Sequence, residues 1–254
     1  MNLQLNPNLT LYFLMISLII GSFLNVIIYR LPRRLSFMKG FSYCPCCHHR
    51  LSSKELIPIL SYLMLKGKCS YCHAVIAKRY LLIESLSLIL MILCLIQADP
   101  LPERLLDYLF CCSLLCIAVI DIDTLEIDDR FHPWIIGLGF LHLTLSFHPY
   151  DRLIGFWLLF LPLALINRLF PSSIGGGDIK LAACCGFYLG SNILLGGMIA
   201  FILGGAWATL LILQNKAYPK MPIPLAPFLG IGFAICCLYE AFPYDVFFHI
   251  LLNS

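Results

Sequence analysis

Apolar runs alternate with polar connections along the chain, at 9–29, 80–97, 105–121, 133–148, 153–170, 179–190, 193–213 and 225–251. Crossing a bilayer as a helix takes about 20 apolar residues, and most of these runs approach that length. The sixth run is short and is expected to be tilted, half-buried or merged with its neighbour. Turn-forming residues mark the breaks: Asp-Pro-Leu-Pro at 99–102, His-Pro at 148–149 and Pro-Lys-Met-Pro-Ile-Pro at 219–224. The pattern predicts an all-α polytopic membrane protein with about eight transmembrane helices. No internal repeat is evident. Gly196, Gly197, Gly204, Gly205, Gly230 and Gly232 predict close helix packing in the last two segments.

Charge adds an orientation, because lysine and arginine concentrate in cytoplasmic loops. With eight spans, fifteen of the 17 basic residues fall on one side, ten of them from Arg30 to Arg79; the other side has only Arg104 and Arg152. This asymmetry predicts a cytoplasmic 31–79 loop and both termini outside the cytoplasm. Composition agrees. The chain is 60% hydrophobic and 12% charged, with a mean hydropathy of +0.88, whereas soluble domains run near 45–50% apolar and about 25% charged. The first run lacks a basic segment before it and has basic residues after it, so it reads as a helix rather than a cleavable signal.

Eight of the 13 cysteines (Cys94, Cys111, Cys112, Cys116, Cys184, Cys185, Cys236 and Cys237) lie in apolar runs. There cysteine behaves as a small hydrophobe. The other five belong to the basic loop. Cys44 and Cys47 form one C-x-x-C pair, and twenty-one residues later Cys69 and Cys72 form another. Two such pairs predict a tetrahedral four-thiolate zinc site. Four cysteines leave no open position for a reacting ligand, so the zinc is expected to be structural. Replacement of one ligand by Cys46, His48, His49 or His73, or reduced cysteines without metal, are the alternatives.

Two acidic stretches carry the candidate chemistry: Ile120-Asp-Ile-Asp-Thr-Leu-Glu-Ile-Asp-Asp129 and Gly175-Gly-Gly-Asp-Ile-Lys180. Carboxylates at a membrane boundary are costly and mark functional sites. Eight spans put Asp121 and Asp178 at one membrane face, where two nearby acids would share a proton. The reading is an aspartic protease built into a membrane, one carboxylate drawing a proton from water while the other donates to the scissile carbonyl. The pair titrates as a unit. A helix start at Asp178 slightly favours it as the anion. The glycines before it would allow backbone angles closed to other residues and a close substrate approach. Asp123, Glu126, Asp128 and Asp129 compete for the first role but read as acids of a solvated loop, with Asp123 and Asp129 the better supporting candidates.

Taken together these motifs resemble the bacterial type IV prepilin peptidases. The resemblance rests on Gly21-Ser-Phe-Leu-Asn-Val-Ile-Ile-Tyr-Arg-Leu-Pro32, both C-x-x-C pairs, Ile57-Pro-Ile-Leu-Ser-Tyr62, Lys66-Gly-Lys-Cys69, Arg79-Tyr80 with Glu84, Asp121 eight residues before Asp129, Gly175-Gly-Gly-Asp178 and Pro222-Ile-Pro-Leu-Ala-Pro-Phe228. The chain departs from the family at Ile127-Asp128-Asp129, where Leu-Pro-Asp is usual, at Leu56 in place of asparagine, and at Pro-Leu-Ala-Pro in place of Pro-Phe-Gly-Pro. The resemblance implies a bacterial inner-membrane enzyme with Asp121 and Asp178 catalytic and facing the cytoplasm. It would cut the basic leader of type IV prepilins or type II secretion pseudopilins after a glycine. Many members also methylate the new N-terminus from S-adenosylmethionine. For that activity the cysteine loop and first span (Gly21, Asn25 and Arg30) are suspected, although Gly21 and Asn25 share a helix face and would equally make a packing patch.

The implied organisation is a first transmembrane helix at 1–30, the zinc loop at 31–79 and the protease domain at 80–254. Expected partners are the pilin substrates and the lipid bilayer, with no nucleic acid. The acidic 121–129 stretch is a better electrostatic partner for a basic leader than the basic loop, which suits lipid headgroups. Two rivals carry similar groups. A presenilin-type protease shares G-x-G-D but not the cysteine loop. A metal transporter or ion channel with a zinc-sensing loop would place its acids near mid-span.

Overall fold

A computed structural model of the chain describes residues 6–36, 40–97, 100–146, 148–171, 173–216 and 223–239. These residues are all-helical, without a β-strand. In order they form α1 (Pro7–Arg30), a 3₁₀ turn (Ser53–Leu56), α2 (Leu60–Met64), α3 (Lys78–Leu95), α4 (Leu101–Thr124), α5 (Phe131–Leu145), α6 (Pro149–Leu169), α7 (Gly176–Leu189), a second 3₁₀ turn (Gly190–Asn192), α8 (Ile193–Leu213) and α9 (Ala226–Leu238). A helix stands at each apolar run, and the end of the last run lies outside the described residues. Among the described residues four stretches are long and apolar enough to cross a membrane: Pro7–Arg30, Leu101–Thr124, Pro149–Leu169 and Gly176–Leu213.

The last stretch joins the sixth and seventh runs through the 3₁₀ turn. Its first part, α7, is short because it is a core helix: from Ile179 to Leu189 every residue except Lys180 is buried. Proline sets several starts, at the first turn of α1, α6 and α9, where its missing N–H leaves no helical bond unmade.

The chain divides into two compact units, Met1–Arg104 and Leu105–Ser254. In the first, α1 and α3 pack antiparallel. Ser87 Oγ donates to Ser17 O at 2.9 Å, Asn25 Nδ2 to Tyr80 O at 3.3 Å, and a Cβ on Gly21 would come within 3.0 Å of Glu84 Cα. In the second, glycine contacts set the helix spacing. A Cβ on Gly155 or Gly186 would overlap the other's carbonyl, and one on Gly232 would overlap that of Gly196, so α6–α7 and α8–α9 pack backbone to backbone. Of the glycines expected to pack, Gly196, Gly197 and Gly232 make tight contacts; Gly204 and Gly230 make ordinary ones and Gly205 faces open space.

All eight cysteines of the apolar runs are buried. Arg104 and Arg152, the two basic residues counted on the sparse side, are buried as well. Arg104 donates to Leu95 O at 3.0 Å, and Arg152 reaches His142 Nδ1 at 2.7 Å. In the second unit Tyr188 Oη donates to buried Asp107 at 2.7 Å, and His142 Nε2 lies 3.9 Å from the same oxygen. A polar knot thus closes one end of the bundle among apolar neighbours.

Candidate active site and metal centre

Asp121 lies in the last turn of α4 and is buried; Asp178 lies in the first turn of α7. The Ala226 amide at the start of α9 donates to Asp121 Oδ2 at 3.1 Å, so one carboxyl oxygen is fixed by a helix N-terminus. Asp178 Oδ1 is buried with no hydrogen-bond partner among the described residues. The two carboxyls are close enough for the charge of Asp121 to act on Asp178. Three helix ends, from α4, α7 and α9, therefore bring together the two acids that stand fifty-seven residues apart in sequence.

The glycines before Asp178 serve by their size. None of Gly175, Gly176 and Gly177 has a positive φ, which corrects the expectation of unusual backbone angles. A Cβ on Gly175 would come within 2.7 Å of Asp178 Oδ2, and one on Gly177 within 3.1 Å of Ile127 Cβ. Gly175 leaves room for the carboxyl group, and Gly177 lets the segment after α4 approach α7. Gly176 meets nothing within 4 Å.

The competing acids are placed apart. Asp123 is exposed in the last turn of α4 rather than in the loop, and Glu126 is exposed beyond it. Asp128 accepts two side-chain bonds from Arg130 at 2.9 Å each, which hold its carboxyl below the usual range. Asp129 accepts from Lys180 Nζ at 2.9 Å, which does the same there. His132, buried at the start of α5, brings Nδ1 to 3.4 Å from Asp129. Asp129 thus links α5 to the first turns of α7. Neither His132 nor the Ala226 amide had a signal in the sequence, since an isolated histidine and a backbone N–H carry no motif.

In the first unit the four cysteine sulfurs lie within 4.8 Å of one another, Cys44 to Cys72 at 3.8 Å and Cys47 to Cys69 at 4.0 Å. A tetrahedral site with Zn–S near 2.3 Å separates its sulfurs by about 3.8 Å, so the cluster has the right size for zinc. Backbone amides of Cys47 and Cys46 donate to Cys44 and bring its thiol down to about 6. At Cys72 the Ala74 amide acts the same way, but desolvation and the three neighbouring sulfurs win and push it up to about 12. Crowded thiolates of this kind need a cation. Cys46 is exposed and outside the cluster; exposed His48 and His73 and half-buried His49 are outside it too.

The two halves of the cluster share one local design. Each reads Cys-x-x-Cys-His, with the amide of His48 or His73 donating to the carbonyl of the first cysteine at 2.9 and 3.1 Å. Both histidines take φ near +57° (56° and 57°). Gly21 and Asn25 are consumed in packing α1 on α3, with Asn25 Nδ2 also reaching Gly21 O at 3.4 Å, and form no open cradle for a cofactor.

A family model described as the bacterial peptidase A24 N-terminal domain matches residues 15–98, and that of the type IV leader peptidase family matches 108–213. Relatives carrying the name prepilin leader peptidase/N-methyltransferase cover most of the chain. One from Bacillus subtilis is 34% identical over 227 residues, covering 87% of this chain and 91% of that protein. One from Aeromonas salmonicida is 31% identical over 267 residues, covering 90% and 91%. One from Dichelobacter nodosus is 32% identical over 263 residues, covering 89% and 90%. No solved structure matches the chain.

Proposed function

The chain belongs to the type IV leader peptidase family, and on that premise we propose that Asp121 and Asp178 cut the leader from prepilins or pseudopilins. The same protein N-methylates the new N-terminus. The observation that carries the assignment is the pairing of the two acids by three helix ends, one oxygen held by the Ala226 amide and another buried without a partner. The hydrogen-bond inventory divides the work. Asp121, which accepts an amide donor, suits the carboxylate that takes a proton from water. Asp178, whose free oxygen has no donor, suits the protonated acid that gives a hydrogen bond to the scissile carbonyl. This reverses the preference drawn from the helix start alone.

Eight crossings, with the basic loops and the pair on the cytoplasmic side of the inner membrane, are the topology that best accommodates a basic leader and an apolar stem. In that arrangement residues 1–30 anchor the chain, 31–79 form the zinc loop and 80–254 carry the proteolysis. Asp128 is engaged by Arg130 and Asp129 by Lys180, which leaves Glu126 as an exposed acid for the leader. Zinc held by Cys44, Cys47, Cys69 and Cys72 would brace its loop. S-adenosylmethionine, as methyl donor, would bind elsewhere than at Gly21 and Asn25.

The test is cleavage of a purified prepilin by the detergent-solubilised enzyme, read as product mass. Cutting after the leader glycine, with a further gain of one methyl group when S-adenosylmethionine is added, supports both activities; an uncut prepilin with a zinc-loaded enzyme overturns the reading. The glycines give a finer check. Gly175→Ala pushes on the Asp178 carboxyl and should slow cleavage on the scale of a 1 Å misplacement, about 10²-fold, whereas Gly176→Ala should leave it nearly unchanged. Equal rates for the two variants would remove the steric account.

A further inference from the structure

Residues 56–65 read Leu-Ile-Pro-Ile-Leu-Ser-Tyr-Leu-Met-Leu, the most apolar stretch of the basic loop, yet none of the ten is buried. Leu60 is 56% exposed, Leu63 58% and Met64 81%. An apolar run that covers no core of its own needs an apolar partner. Its position identifies one. The Ile59 amide donates to Glu84 Oε2 at 2.7 Å, and the same buried carboxylate is hydrogen-bonded by Ser22 of α1. Glu84 stands six residues into α3, about 9 Å of helical rise beyond Lys78. The turn is therefore not hung from the outer end of the α1–α3 pair; it is drawn up alongside it.

We propose that residues 56–65 form a re-entrant turn seated in the headgroup–acyl boundary of the bilayer, with Leu60, Leu63 and Met64 against lipid. Its depth matches the roughly 5–10 Å to which interfacial apolar faces sink. Non-helical backbone at that depth must be satisfied from within the protein. Ile59, held at φ 61°, gives its amide to Glu84, and around the short α2 the amides of Ser61, Leu63 and Leu65 donate to Ile57, Ile59 and Ser61. This also explains why a carboxylate is buried between two apolar helices. Charge fixes the kind of surface. From 31 to 79 the chain has nine lysines and arginines against one acid, Glu55, which is engaged by Ser52 and Ser70. Lys54, Lys66 and Lys68 flank the turn, so an anionic bilayer is the complementary partner.

Depth-dependent fluorescence tests this on the full chain. Trp134, Trp157 and Trp207 are changed to Phe, and one tryptophan is introduced by Met64→Trp or, as control, Val75→Trp on the second cysteine knuckle. In phosphatidylcholine–phosphatidylglycerol vesicles the Met64→Trp emission should be blue-shifted and quenched by acyl-brominated lipid. Acrylamide should quench it at least about threefold less than the control, as expected for a side chain below the headgroups. Water-like emission and equal acrylamide quenching in both would overturn the proposal. So would shielding that appears only when a prepilin is added, since the face would then belong to the substrate. Peroxide oxidation of Met64 in the unsubstituted chain, read by mass spectrometry, gives a second reading that needs no variant: vesicles should slow it about threefold or more relative to solvent-exposed methionine, and an unchanged rate would contradict insertion.

Discussion

Asparagine at Asp121 or at Asp178 should abolish prepilin cleavage without unfolding the protein. Asparagine keeps the shape of the side chain and can still accept the Ala226 amide at position 121. It cannot carry the proton that moves between water, the pair and the scissile carbonyl. Loss of one acid–base partner lowers the rate by about 10²–10⁴-fold. The double variant should be little worse than either single one, because groups that act as a unit are not additive. Cleavage should also fall on both sides of an optimum pH, since the working form holds one proton between two carboxyls. Asp123→Asn, by contrast, should keep most of its activity. The measurement is initial rate by product mass for each variant; full rate at either member of the pair would show that the wrong acids were chosen.

The proposed pair could be put forward from the sequence because it rests on long-range counting: if the apolar runs alternate as crossings, each one returns the chain to the opposite face. That arithmetic set Asp121 and Asp178 at one expected membrane level, and in the structure they stand at neighbouring helix ends. The four cysteines were legible because metal ligation fixes both residue type and spacing. What could not be read were features with no side-chain signature. The Ala226 amide holds Asp121 through backbone alone. Gly175 is glycine because a neighbouring carboxyl fills its Cβ position, and a sequence cannot distinguish that from a need for positive φ. Arg104 and Arg152 read as loop cations, yet each is buried on a polar partner. The apolar residues 56–65 were absorbed into a loop because their length falls short of a span, and only the Ile59–Glu84 bond reveals where they lie.

Loss of zinc from the four-sulfur cluster should unfold the two cysteine knuckles within residues 40–77 and leave the second unit intact. Among residues 40–77 only Cys44, Gly67 and Cys69 are buried. The segment has no apolar core of its own, so a zinc on the four sulfurs would take that place. Structural zinc sites contribute about 10–16 kcal/mol of apparent binding free energy, and where no other core exists that is folding free energy. Cys44→Ser or Cys69→Ser should therefore drop bound zinc from one per chain toward none and open the segment to protease, while α4 to α9 stay resistant. The acids and their helix-end contacts all lie within Leu105–Ser254, so the Asp121–Ala226 bond does not depend on the cluster. Cys46→Ser supplies the control. It lies between the ligands in sequence but outside the cluster in space, and it should keep its zinc. If Cys44→Ser retains a full metal complement, or if a chelator leaves the segment as protected as before, then the four sulfurs are not what holds this loop together.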